Sequence, residues 1–258
     1  IDAAGKLLIP GLVNAHTHVH MTALRNRADD LGFMTWLFDK VMPLEDKLTE
    51  EDAYWSTQLA FMEMLKSGVT SFLDMHMFPD TIARATMDAG MRGVLSRGLQ
   101  KFDKDPEGGK KRLEQAMADV ERYQGVSTLS FMLAPHAPYT CGEDYLREIA
   151  ELAREKNLAI NTHLSESQDE QEQIMLRYGL TPTEYYDRCG ILNARTVCAH
   201  CVYLSESDMA LLARRGVSVA HNAASNMKLG NGIAPIPAML RHGINVCLGS
   251  DSTASNNN

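Results

Sequence analysis

His16 and His18, His163, His200 and Asp251 are the residues whose types could hold a metal ion, and each stands at or near the end of a short apolar run. Imidazole nitrogens with one carboxylate form a borderline-soft donor set that suits Zn²⁺ and also accepts Fe²⁺ or Ni²⁺. His16 and His18 are two residues apart, so on a strand both side chains leave the same face and can reach one ion. A lone histidine is ordinarily a core or surface residue. Four histidines and an aspartate at equivalent positions of separate strands point instead to a metal centre. A catalytic ion of this type keeps one position for water and lowers the pKa of that water towards ~7. Glu166, three residues past His163 in HLSE, stands at the same rim and is a group able to move protons. Away from such a histidine, a Glu in a first helical turn would be explained by the helix dipole alone.

The elements that must position these residues follow from periodicity. Apolar runs occur at 6–15, 69–75, 92–99, 127–135, 158–164, 196–201, 217–222 and 244–251, most of them rich in β-branched residues. Amphipathic stretches between them predict helices over 51–68, 110–123, 143–156, 166–177, 205–215 and 233–242. In the first of these, Leu59, Met62, Leu65 and Lys66 fall at helical spacing, and Thr49 with Asp52 resembles a capping box with Asp in place of Glu. Eight strands alternating with helices predict an α/β fold, a (β/α)₈ barrel. In such a barrel functional groups gather where strands end and the following loops begin. A doubly wound open sheet is the alternative, but NAHTHVH stands where its Gly-rich turn would be.

Composition removes other classes. The 258 residues suffice for one such barrel, and 45% hydrophobic with 22% charged residues is ordinary for a globular domain. A net charge of −8 argues against nucleic-acid and anionic-membrane partners. No apolar run approaches the ~20 residues of a membrane-spanning helix, and no basic-then-apolar signal segment opens the chain. Five cysteines scattered from Cys141 to Cys247 make no disulfide framework, which predicts a reducing, cytoplasmic setting. Cys198 and Cys201 form a CxxC with no second pair, so a zinc ribbon is not expected. The opening IDAAGKLLIPG and the NNN after the eighth run predict a barrel trimmed at both ends, lacking its last helix.

PGLVNAHTH, HLSE, CAHC, and GSD ahead of STASNN resemble the amidohydrolase superfamily, in particular its cytosine-deaminase-type branch, over essentially the whole chain. The loop ADDLGFMTWLFDKVMPLE and the segment SNMKLGNGIAP are similar to those of the 5′-methylthioadenosine/S-adenosylhomocysteine deaminases and their chlorohydrolase relatives. The resemblance implies a flanking β-sandwich, with residues 1–10 at its edge. It implies that His16, His18, His163 and Asp251 bind one divalent metal, zinc first, with iron or nickel as alternatives. His200 would lie near the attacking water. Glu166 would protonate the ring nitrogen beside the attacked carbon, and Asp251 would take the proton from water. Glu45 would accept hydrogen bonds from both ribose hydroxyls, His136 would contact the purine, Arg97 would approach the 5′ substituent, and Trp36 would pack on the nucleoside. Lys110, Lys111 and Arg112 are open candidates for a second cationic contact. Binuclear members carry a carboxylated lysine on strand 4, where this chain has His136, so one metal is expected. The family commonly has a proline after the HN pair of strand 7; here Ala223 stands there and predicts a looser loop. His20 and His242 read as loop and helix-terminal residues, and His76 has no assigned role.

The implied substrate is a small nucleoside and the implied reaction is hydrolytic deamination of a 5′-modified adenosine. The alternatives are a triazine chloro- or aminohydrolase, a guanine-type base deaminase, and a non-catalytic binding or assembly relative. Glu166 argues against dechlorination, Glu45 argues for a ribose, and no ligand is missing as a non-catalytic relative would require. A homo-oligomer is compatible with the sequence, which sets no oligomeric state.

Overall fold

The computed structural model describes residues 2–102, 105–193 and 195–257. Eight strands, β1 (Leu12–Thr17), β2 (Val69–His76), β3 (Arg92–Leu99), β4 (Leu129–Pro135), β5 (Ala159–Leu164), β6 (Thr196–His200), β7 (Ser218–His221) and β8 (Asn245–Leu248), follow one another in sheet order as in chain order. Each neighbouring pair is parallel. β8 returns to β1 through a parallel bridge between Thr17 and Asp251, and the backbone N–H groups of Ser250 and Asp251 both donate to the His16 carbonyl. The ring therefore closes at the residues that carry the metal-ligand types. This is the predicted (β/α)₈ barrel.

Along the chain the helices are α1 (Met42–Glu45), α2 (Glu50–Lys66), α3 (Thr81–Asp88), α4 (Pro106–Arg122), α5 (Glu143–Glu155) and α6 (Gln168–Tyr178). They continue with α7 (Pro182–Arg188), α8 (Glu206–Arg215), α9 (Ala223–Lys228), α10 (Ile236–Arg241) and α11 (Thr253–Asn256). The capping box at Thr49 and Asp52 is formed, and others at Thr181 and Ser205 start α7 and α8. The loop after β1 is not irregular: it holds a 3₁₀ turn (Val19–Leu24) and a π-helical stretch (Thr35–Val41) that leads into α1. Asp74 of β2 accepts the Val19 N–H at 2.8 Å and so ties that turn to the barrel.

Two expectations are corrected. β1 begins at Leu12 rather than residue 6, because Leu7, Leu8 and Ile9 lie exposed outside the sheet. The apolar stripe of α2 is on the outer face: Leu59 and Met62 are 41% and 58% exposed. The small residues Ala53, Ser56, Thr57 and Ala60, with Phe61, face inward instead and let the helix lie close to the strands. The largest core cluster joins strand residues such as Leu99, Leu133 and Ile160 to Leu146, Ile149 and Tyr185 of the helices. Cys141, Cys189, Cys198 and Cys201 are buried and Cys247 partly so, each as a free thiol.

Candidate metal centre and cavity

Each candidate ligand is aimed by local backbone chemistry. His16, next to last in β1, is fully buried, and close packing around it requires a glycine. A Cβ on Gly249 would lie 2.9 Å from the His16 Cβ and 2.3 Å from the Asn222 Oδ1. Asn14 accepts the Ser250 N–H and donates to the Ser250 hydroxyl, which fixes β1 against the segment that carries Asp251. His200 and Asp251 adopt positive φ, 73° and 64°, a conformation that side-chain-bearing residues hold only where their surroundings impose it. That twist turns both side chains out of the strand path towards the barrel axis.

The donor set fits one cation. His18 Nδ1–H donates to the Met75 carbonyl at 2.7 Å, and His163 Nδ1–H donates to the His136 carbonyl at 2.6 Å. Both Nε2 atoms then face each other as lone pairs 3.3 Å apart, an arrangement that repels unless a cation lies between them. Asp251 Oδ1 stands 3.3 Å from His18 Nε2 and 3.6 Å from His16 Nε2. Donors sharing a tetrahedral ion with bonds of ~2.0–2.1 Å are about 3.3 Å apart. His16 is fully buried, yet neither of its ring nitrogens has a hydrogen-bond partner among the described residues. Burial holds His16 neutral, its pKa lowered to about 4, and pushes His163 well below the ordinary histidine value. Neutral imidazole is the form that ligates. The potential donor atoms group as His16, His18 and His163, and as His16, His200 and Asp251, each set within 4.8 Å. His200 lies farther out on the second set: its Nε2 is 3.9 Å from Asp251 Oδ2 and 3.7 Å from Glu166 Oε1.

One segment after β7 orients the groups that could move protons. Ser225 donates to Asp251 Oδ2 at 2.6 Å, joined there by Ser255 at 2.8 Å. Asn226 Oδ1 accepts from His200 Nδ1 at 2.8 Å, which leaves Nε2 of that ring as a base or acceptor at the cavity, with Asn222 Nδ2 donating towards it at 3.4 Å. Asn231 Nδ2 donates to Glu166 Oε1 at 3.3 Å. Burial would raise the Asp251 pKa, but the nearby imidazoles of His16, His200 and His18 outweigh it and hold the carboxylate ionised. Glu166 goes the other way. Burial first, then the charges of Asp251 and Glu170, push its pKa well above the carboxylate range. Two carboxyl groups in one cleft are thus driven apart, one to base and one to acid.

Glu170 sets the acid in place. Its carboxylate accepts the backbone N–H groups of Ser165 and Glu166 at 2.7 and 2.9 Å, bracing a turn in which Ser165 has a φ of 52°. The Ser167-to-Glu170 spacing is the sequence trace of this brace, although the carboxylate reaches past the cap to the two preceding residues.

The cavity over these groups is lined by Trp36, Glu45, Met75, His136, Tyr139 and Glu166, with His18, His163, His200 and Asp251 at its base. Glu45, His136 and Trp36 are therefore brought together with the metal-ligand residues. Arg97 is not. Alternate strand residues face opposite sides, and Arg97 follows Leu95 towards the helices, where its guanidinium donates to the Gly98 carbonyl at 2.9 Å and approaches Gln115 of α4. It lines an outer groove with Lys110, Lys111 and Arg112, behind the cavity wall of Gly98 and Gln100. Of those three cations, Arg112 bonds to the wall, donating to the Gln100 carbonyl at 3.1 Å. Ala223 starts α9 instead of loosening a loop. His20 is corrected from a loop residue to a fully buried one bonded to Glu45, and His76, also buried, lines the cavity. His242 ends α10 and pairs with Glu206, as a helix-terminal residue does.

The amidohydrolase family model matches residues 7–258, and the chain belongs to that family. It is 45% identical over 258 residues to a 5-methylthioadenosine/S-adenosylhomocysteine deaminase of Halothermothrix orenii, covering 100% of this chain and 59% of that relative. It is 44% identical over 260 residues to a 5′-deoxyadenosine deaminase of Methanothermobacter thermautotrophicus, covering 100% of this chain and 61% of that relative. Among solved structures, an adenosine deaminase from Xanthomonas campestris with bound zinc matches at a TM-score of 0.92 and 34% identity, over 96% of this chain and 57% of that one. The chain thus spans about 60% of the length of the curated relatives it matches. Among the described residues no helix is long and apolar enough to cross a membrane.

Proposed function

We propose that this chain carries the active site of a metal-dependent aminohydrolase that deaminates a 5′-modified adenosine. The substrate would be 5′-methylthioadenosine or S-adenosylhomocysteine, and the products the inosine analogue and ammonia. The observation that carries the reading is Glu166, a buried carboxyl 3.7 Å from His200 at the edge of the imidazole–Asp251 cluster, its pKa raised by burial, in one cavity with Glu45 and Trp36. His16, His18, His163 and Asp251 would hold the ion, and zinc fits the donor set best. Bound there, a divalent ion supplies Lewis acidity and activates a water at neutral pH.

The chain's own residues do the rest. The amidine carbon C6 of an adenine resists attack until its neighbouring ring nitrogen takes a proton, and Glu166 is the group placed to give it. Asp251 is the ionised carboxylate that receives the proton water gives up as its oxygen bonds to C6. His200, its tautomer fixed by Asn226, presents the unprotonated Nε2 3.7 Å from Glu166, where it would accept a hydrogen bond from the attacking water and orient it. The C6–N bond then breaks, and the amino group leaves as ammonia with a proton returned through the same carboxylates. Apolar walls from Trp36, Phe33 and Met42 exclude water and receive the flat base, and Glu45 accepts from the ribose hydroxyls.

A panel of metal-loaded protein with 5′-methylthioadenosine, S-adenosylhomocysteine, adenosine, guanine and melamine, followed by ammonia release, tests the substrate class. Release from the 5′-modified adenosines above the other three compounds is expected. Release from melamine or guanine, but from no nucleoside, would sink the reading.

A further inference from the structure

Glu45 sits at the end of a four-residue helix in the long connection after β1, far along the chain from every metal-ligand type except His16 and His18. Among the described residues its carboxylate has a single hydrogen bond, from His20 Nε2 to Oε1 at 2.6 Å. His20 is fully buried in the 3₁₀ turn that begins immediately after His18, with its ring packed edge-on against Phe78 at 5.5 Å. The ring therefore has little freedom, and the short bond transmits that rigidity to Glu45. With Oε1 held by His20, Oε2 carries no bond from the chain among the described residues, and the carboxylate lines the cavity. Through this contact the carboxylate is registered against the end of β1, where His16 lies in the strand and His18 just beyond it.

We propose that His20 is a positioning residue that presets Glu45 for a vicinal diol, so that the enzyme selects ribonucleosides over nucleosides lacking the 2′ and 3′ hydroxyls. The inference rests on the reading of Glu45 as the ribose contact. A carboxylate free to swing would meet the diol in many orientations. One fixed at one oxygen presents the other in a single plane, and ordering it in advance avoids that cost when substrate binds.

The test compares 5′-deoxyadenosine with 2′,3′,5′-trideoxyadenosine on metal-loaded protein. His20→Phe fills the ring's space beside Phe78 but offers no N–H, whereas His20→Gln keeps a donor. The expected result for His20→Phe is a fall in kcat/KM of about 10- to 100-fold for the ribonucleoside, expressed in KM, with kcat nearly unchanged. The trideoxy substrate should lose little, His20→Gln should recover part of the loss, and metal content should stay at wild type. In a Glu45→Gln background the His20→Phe change should add almost nothing for the ribonucleoside. Equal losses on both substrates would make His20 a structural residue and overturn the proposal. If Glu45→Gln lowers kcat/KM equally for the two substrates, the ribose reading of Glu45 falls, and this proposal falls with it. A Glu45→Gln loss confined to the ribonucleoside, beside a His20→Phe loss equal on both substrates, overturns the proposal alone. If His20→Phe loses metal, the same comparison is made with His20→Gln against His20→Ala, and loss of selectivity in neither overturns it.

Discussion

Glu166→Gln is expected to keep its metal and lose about 10³-fold or more in kcat, the upper part of the range for removing a general acid. The substitution keeps the shape of the side chain and an acceptor for Asn231, which now donates to Glu166 Oε1 at 3.3 Å. What disappears is the proton. Burial together with Asp251 and Glu170 holds that proton on Glu166 well above the pH at which a carboxyl normally releases it. An amide cannot protonate a purine ring nitrogen, so the attacked carbon stays a poor electrophile even with water and metal in place. Metal content by elemental analysis, set beside steady-state ammonia release, separates this outcome from a folding defect. Full turnover by Glu166→Gln would move the acid to another group.

His163→Ala is expected to lose both metal and turnover. His163 Nε2 is 3.3 Å from His18 Nε2, and its Nδ1–H is spent on the His136 carbonyl, so no other role explains its orientation. Loss of groups that merely orient ligands costs ~10–100-fold in metal affinity, and removal of a ligand itself should exceed that. Turnover should fall about 10³-fold or more even with added metal, since several kcal/mol of Lewis-acid stabilisation are weakened at once. Competition against a chromogenic chelator measures the affinity. Retention of wild-type affinity by His163→Ala would remove His163 from the ligand set.

The sequence discloses the ligand-type residues because a parallel barrel puts its chemistry at strand ends, and an apolar run that stops at a His or an Asp marks such an end. The same logic located Glu166 near the rim, whereas Glu45 and His136 came from the resemblance of MPLE and APHAPYT to the family's segments. Arg97 shows its limit. It also stands near a strand end, but it is on the face towards α4, and a one-residue difference in register decides which face that is. The residues that tune the site were not legible. Asn226 reaches His200 across 26 positions and Asn231 reaches Glu166 across 65, and no periodicity links such pairs. His20 was passed over because a polar ring in a loop ordinarily faces water, and only the fold shows it buried against Phe78 and bonded to Glu45. The helices Thr81–Asp88, Pro182–Arg188 and Ala223–Lys228 have eight residues or fewer, too short for a 3.6-residue period to emerge. In α2 the longest apolar side chains pointed outward, so periodicity found the helix and misjudged its inner face.

The most direct test of the central claim is a titration of metal-free protein with Zn²⁺ while ammonia release from 5′-methylthioadenosine is followed. Four candidate ligand groups converging on one point, with His136 and no lysine at the end of β4, predict activity that rises in proportion to added zinc and reaches its plateau at one ion per chain. A plateau at two ions per chain, or no ammonia at any ratio of zinc to protein, would contradict it.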